Sequence, residues 1–150
     1  MTEPAKALED LMRSLNRTEM VTRITNKHLA RYDHAIVTNL DPADRAPNLA
    51  GLSESTVGKP VEQFEFDGLR YSRSFLNYLR GLVTLKREVP DLELRTVLEI
   101  GGGFGTLGEI LLTNGSGARY INIDIPPVAF ISTYYLQQVL GADRVDSYDR

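Results

Sequence analysis

Cysteine is absent from this chain of 150 residues, which excludes both a disulfide framework and a thiol nucleophile. No apolar run approaches the ~20 residues of a membrane span. The start, Met1-Thr2-Glu3-Pro4-Ala5-Lys6, lacks the apolar segment of a secretion signal. Histidine occurs only as His28 and His34. They stand about one and a half helical turns apart, too loose for a metal pair, so they read as surface or interface residues and no metal is expected. A formal net charge of -3 without a basic cluster argues against a nucleic-acid partner. Internal repeats and low-complexity segments are absent too. What remains is the composition of a soluble cytoplasmic protein with no membrane partner, long enough for one domain with a real core.

The most informative stretch is Glu99 to Gly105, reading E-I-G-G-G-F-G directly after the apolar run Thr96-Val97-Leu98. A strand that ends in a carboxylate and turns on glycines into a helix brings bare backbone against a small ligand. A side chain at Gly101, Gly103 or Gly105 would forbid positive φ or push that ligand away. Phe104 to Leu112 is helix-length, with Leu107, Ile110 and Leu111 spaced to face a sheet. Thr113-Asn114-Gly115-Ser116-Gly117 ends it in turn formers, and Arg119 to Asp124 reads as a second, largely buried strand.

A carboxylate at the end of the second strand of a β-α-β unit sits beside the glycine turn, where it can accept hydrogen bonds from both ribose hydroxyls of an adenosine. Asp124 holds that position, and it also stands where it can cap the helix opening at Pro126-Pro127. Two adenosine cofactors are compatible with such a unit, NAD and S-adenosylmethionine (SAM). A dinucleotide fingerprint wants a third glycine three places after the second. From Gly101 and Gly103 that place is Thr106; a later register, from Gly103 and Gly105, reaches Gly108 but leaves Glu99 unexplained.

Val97 to Leu107, V-L-E-I-G-G-G-F-G-T-L, resembles the first motif of class I SAM-dependent methyltransferases. More narrowly, E-I-G-G-G-F-G, Y-I-N-I-D-I-P-P and T-Y-Y-L at Thr133 to Leu136 are similar to the bacterial putative sugar O-methyltransferases. The segments S-T-V-G-K-P at Ser55 to Pro60 and S-R-S-F-L-N-Y-L at Ser72 to Leu79 look like that family's lead-in. The resemblance spans roughly the last two thirds of the chain. It implies that Glu99 helps hold the methionine ammonium, that the glycines lie under the cofactor and that Asp124 binds the ribose. The family's second strand usually ends in an acid, an apolar residue, proline and often an acid. Asp124-Ile125-Pro126-Pro127 departs slightly from this and keeps the ribose contact. SAM carries a sulfonium and an ammonium and no phosphate, so a carboxylate at Glu99 suits it better than NAD. The expected cofactor-binding set is Glu99, Gly101, Gly102, Gly103, Phe104, Gly105, Asp124 and Ile125.

The first 95 residues read as helical and irregular. Ala5, Leu8, Leu11 and Met12 mark one helix over Pro4 to Leu15, and Val21, Ile24 and Leu29 a second over Glu19 to Tyr32. Asp41 to Pro47 breaks the run, and Phe64-Glu65-Phe66-Asp67-Gly68 reads as a short hairpin arm or an extended edge. A further helix is capped by Ser72 or Ser74, carries Phe75, Leu79, Leu82 and Val83, stops at Pro90 and is expected to pack on the sheet. The resemblance makes residues 1–92 a helical cap over the cofactor, with Tyr71, Arg73 and Tyr78 as candidate pocket residues. A solvated helix face with core aromatics is the competing reading. The apolar stripe also suits dimerisation through the N-terminal helices. Residues 93–150 would be the first part of a Rossmann-like SAM-binding domain, giving an α/β fold class.

That fold, as the resemblance implies it, has about seven strands, and acceptor-binding and catalytic residues follow the later ones. Here a helix over Val128 to Leu140 and a short third strand within Ala142 to Tyr148 are all that is expected after Asp124, which suggests a truncated or split protein. No base is assigned, since Tyr134 and Tyr135 read as packing and rim residues. Two functions stay open. One is a SAM-dependent O-methyltransferase acting on a small hydroxylated acceptor, by resemblance a sugar in polysaccharide or natural-product biosynthesis. The other is a non-catalytic SAM-binding or assembly module completed by another chain, with a dehydrogenase fragment behind both on the strength of Gly108.

Overall fold

In a computed structural model, residues 3–148 are described, and among them the chain is mixed α/β with four α-helices and two two-stranded sheets. Helix α1 runs unbroken over Glu3–Leu40, where two helices were expected. Nothing between them is a glycine or proline, and Thr18 and Thr22 return their hydroxyls to the carbonyls of Ser14 and Thr18 at 3.0 and 2.9 Å, so the helix continues. The side chains of Ala5, Leu8, Leu11 and Met12 lie outside the described ones. The C-terminal half of α1 buries Ala30, Asp33 and Val37, whereas Met20, Val21, Ile24 and Tyr32 face away from the body and are exposed. α1 ends before Asp41-Pro42, as a residue ahead of proline disfavours helix.

The hairpin is present: β1, Phe64–Phe66, pairs antiparallel with β2, Leu69–Tyr71. Asp67 and Gly68 both take positive φ, 53° and 78°, the conformation that lets an Asp-Gly pair close a two-residue turn. Helix α2, Arg73–Glu88, starts on Ser72, whose hydroxyl accepts from the Phe75 amide at 3.1 Å. It was expected to pack on the sheet. Its main neighbours are α1, whose Asp33 is buried between Arg73 and Arg80, and α3, and it reaches the β-strand of Glu99 through Tyr78, with Val97 and Tyr120 of the strands packed on the same core.

Strand β3, Thr96–Ile100, leads through the glycine turn into α3, Thr106–Thr113, and back to β4, Arg119–Ile123, which pairs parallel to β3 with Glu99 opposite Asn122. Helix α4, Pro126–Leu140, follows, with its two prolines where missing amide hydrogens leave nothing unsatisfied. The third strand expected in 142–148 is absent there. Ala142–Arg144 forms a 3₁₀ turn instead, and the described residues after it join no ladder. Period two sends Val97, Glu99, Tyr120 and Asn122 toward the helices, and Leu98, Ile100, Ile121 and Ile123 to the other face. That outer face is bare among the described residues, with Ile100 79% exposed.

One hydrophobic core joins these parts. Leu49, Leu52, Tyr71, Phe75, Leu76, Leu79 and Val83 meet Ile110 and Leu111 of α3 across the boundary expected at residue 92. No helix among the described residues is long and apolar enough to cross a membrane.

Candidate functional site

The turn between β3 and α3 is held from both sides by backbone. Gly101 N donates to Ile123 O at 2.8 Å, extending the ladder one residue past β3, and Gly105 N donates to Gly102 O at 3.0 Å. Gly101, Gly103 and Gly105 have φ of 75°, 58° and 89°. Only glycine takes such angles freely. A Cβ built on Gly101 or Gly103 would meet nothing within 4 Å, so backbone there is open to a ligand. At Gly102 space decides, since a Cβ would strike Asn122 Oδ1 and Glu99 Oε2 at 2.6 and 2.7 Å; at Gly105 it adds to the positive φ, with Leu136 Cδ1 at 2.9 Å.

Asp124, one residue beyond β4, lies beside this turn. Its Oδ2 accepts from Gly103 N at 3.0 Å and its Oδ1 from Ile125 N at 2.8 Å. The carboxylate thus fixes the turn, but it does not cap α4 as expected, since the N-cap there is Ile125 and no side chain caps it; each oxygen retains a lone pair for a further donor. Phe104 and Ile125, 63% and 65% exposed, are apolar residues on the two flanking segments. Phe104 meets Tyr135 edge-on at 6.4 Å.

Glu99 is found beneath the turn, on the helix-facing side of the sheet. Tyr78 of α2 donates to its Oε1 at 2.8 Å, and Tyr120 of β4 donates to its Oε2. Burial first, then the hydrogen bond and charge of Glu99, pushes the Tyr78 phenol up to about 12, and the same causes raise Tyr120. Both hydroxyls therefore stay donors at neutral pH. Next to Glu99, Asn122 gives its Nδ2 to Ser132 Oγ at 3.0 Å, while its Oδ1 is buried without a partner.

A second buried network ties the loop before the hairpin to this unit. Glu109 of α3, 2% exposed, accepts from Ser55 N at 2.7 Å and from the Tyr135 hydroxyl at 2.6 Å. Glu54 accepts from Ser72 Oγ at 2.7 Å and from the Ser72 amide. The segments beginning at Ser55, Ser72 and Thr133, far apart in sequence, are thereby bound to one another.

Of the other candidate residues, Tyr78 is brought to Glu99, Tyr71 sits in the core and Arg73 is spent on Asp33. Tyr134 is exposed; Tyr135 is half-buried on Glu109. His28 lies with Ile24, Lys27 and Arg31 along α1, and His34 stacks on Phe66 at 4.8 Å. Among the described residues no group of three or more His, Cys, Asp or Glu is placed to hold a metal ion. Sequence reasoning missed Tyr120, Asn122, Glu109 and Leu136. Period two in β4 would have set Tyr120 and Asn122 on one face; the other two depend on helix packing that no local pattern reports. Gly108 is needed for room, since a Cβ would lie 2.5 Å from the Tyr120 ring. Comparison of the chain with protein-family models, with curated proteins and with solved structures finds no match.

Proposed function

We propose that this chain carries the cofactor-binding unit of a SAM-dependent O-methyltransferase with a Rossmann-like fold, acting on a hydroxyl of a small acceptor, a sugar by sequence resemblance. The observation that carries the reading is the set of acceptors around an open glycine turn: Asp124 beside it, and Glu99 with the unpartnered Asn122 Oδ1 below it. Such a donor-poor, acceptor-rich cradle suits a ligand with a cationic ammonium and a ribose. It opposes a pyrophosphate, whose charge would meet two carboxylates in a setting of low dielectric. Close packing of α3 on β4 at Gly108 serves either cofactor, so the preference for SAM over NAD rests on the electrostatics.

The cofactor, when bound, supplies an electrophilic methyl group. The chain's own residues bind and orient. Gly101 and Gly103 let the ligand approach the backbone, Asp124 takes the ribose hydroxyls, and Glu99, held by two tyrosines, keeps negative charge under the methionine end. Phe104 and Ile125 shield the adenosine from water.

Calorimetry with S-adenosylhomocysteine, with NADH as comparator, tests this. The homocysteine ligand is expected to bind and NADH not. Asp124→Ala should weaken binding at least ~100-fold, since it removes two charge-assisted contacts of about 1.5–3 kcal/mol each. Asp124→Asn keeps an acceptor for Gly103 N and separates loss of the ribose contact from loss of the turn. Tight NADH binding, or equal affinity in all three proteins, would defeat the proposal.

The bare outer sheet face favours a second reading alongside it, a module completed by further polypeptide. Parallel strands are ordinarily covered on both faces, and Leu98, Ile100 and Ile123 are more than half exposed here. The folded chain should then enhance fluorescence of the apolar dye ANS, and Ile100→Lys should reduce this with the circular dichroism unchanged. A folded chain that leaves the dye dark would remove the ground for this reading.

A further inference from the structure

We infer that Tyr78 is a positioning residue of the cofactor site, acting through Glu99, and that its hold on this carboxylate makes the site selective for a ligand that keeps its amino-acid end. The inference rests on the reading of the glycine turn as a SAM site and adds to it a residue from outside the motif. Glu99 is part-exposed, and both its oxygens are held by phenols, Tyr78 on Oε1 at 2.8 Å and Tyr120 on Oε2. Among the described residues no basic side chain is paired with it. A phenol donates a hydrogen bond without bringing a charge, so the carboxylate is oriented and not neutralised. Such a group is set up to meet a cation.

The two phenols reach Glu99 from different parts of the chain. Tyr120 belongs to β4, and its ring fills the space above Gly108, so it is built into the unit itself. Tyr78 comes from α2, a turn after Phe75 and a turn before Leu82, both in the core, and its ring packs against that core. Packing therefore fixes the ring and leaves the hydroxyl to reach Glu99. Burial first, then the bond to Glu99, holds this phenol at about 12, so it donates at neutral pH. A glutamate held by one oxygen alone retains torsional freedom, and a ligand must order it on binding. With both oxygens held, that ordering is done during folding. Asp124, at the ribose end, takes its two bonds from Gly103 N and Ile125 N, within the unit. Tyr78 thus acts on the methionine end of the ligand and leaves the adenosine end untouched.

Calorimetry on the full chain with two probes tests this: S-adenosylhomocysteine, and methylthioadenosine, which keeps the adenosine and the thioether but has no ammonium. The parent should bind the homocysteine ligand at least ~10-fold more tightly than the truncated one. Tyr78→Phe keeps the ring in the core, so the circular dichroism should not change. It should weaken S-adenosylhomocysteine ~10-fold, the scale of one hydrogen bond to a charged group, and leave methylthioadenosine within ~2-fold. Asp124→Ala should weaken both. A merely structural role for Tyr78 would lower the two affinities together. Equal loss of both ligands, no loss of either, or tighter S-adenosylhomocysteine binding in Tyr78→Phe would overturn the inference while the cofactor reading stands. A folded parent that binds neither probe would defeat that reading, and the inference with it.

Discussion

Lys86→Ala should lower the unfolding free energy by about 3–5 kcal/mol, the range found when one partner of a buried ion pair is removed. Lys86 is fully buried on α2. Its ammonium donates to Asp41 Oδ1 at 2.6 Å and to Pro47 O at 2.8 Å, and its own carbonyl accepts from Arg45 at 2.9 Å. One residue thus fastens the end of α1 and the loop after it to the core. Alanine would strand a nearly buried carboxylate, orphan a carbonyl and leave a cavity where the stem packed. Against a typical total of 5–15 kcal/mol the loss is severe. Urea unfolding measures it. Lys86→Met with Asp41→Asn keeps volume and removes both charges, so it should recover part of the loss. A lone Lys86→Met variant as stable as the parent would show that the ion pair contributes nothing.

Glu109→Ala is the second large effect, about 2–4 kcal/mol, because the Tyr135 hydroxyl and the Ser55 amide both lose their acceptor inside the protein. This site also makes stability depend on pH. Burial, with the charge of Glu54 adding to it, holds the Glu109 carboxyl above its ordinary 4.5, against the opposing pull of the Tyr135 and Ser55 hydrogen bonds. A raised acid binds its proton more tightly in the folded state, so the stability it contributes is full below 4.5 and is lost as pH rises through the folded value. Glu109→Gln should therefore show a flatter decline in urea midpoint above pH 4.5 than the parent. Parallel curves for the two proteins would show that Glu109 titrates alike folded and unfolded.

The glycine turn, the hairpin and α2 were legible because each is written in local chemistry: positive φ at Gly101, Gly103 and Gly105, an Asp-Gly pair, and a serine cap before an amphipathic stripe. The unbroken α1 was not, since a dip in apolar periodicity at Asn16 to Thr18 looks like an end when no breaker is there. The short strand expected after α4 failed for the opposite reason. Val145 and Tyr148 have strand propensity, but propensity forms no ladder without a neighbouring strand. Within the site, Asp124 and the glycines could be placed from spacing alone. The tyrosines that hold Glu99 could not, because Tyr78 arrives from α2 and its approach is set by how the helices pack.

The two halves of α1 also differ in how they open. Around Asp33 the backbone is locked by two guanidinium groups from α2 and by Ala30 and Val37 in the core, so amides there should exchange with solvent only when the whole domain unfolds. From Arg17 to Thr25 the described side chains are exposed, so amides there should exchange at a smaller free energy. A single helix thus joins a strongly protected segment to a weakly protected one, with the transition between them expected within about one turn of Ala30.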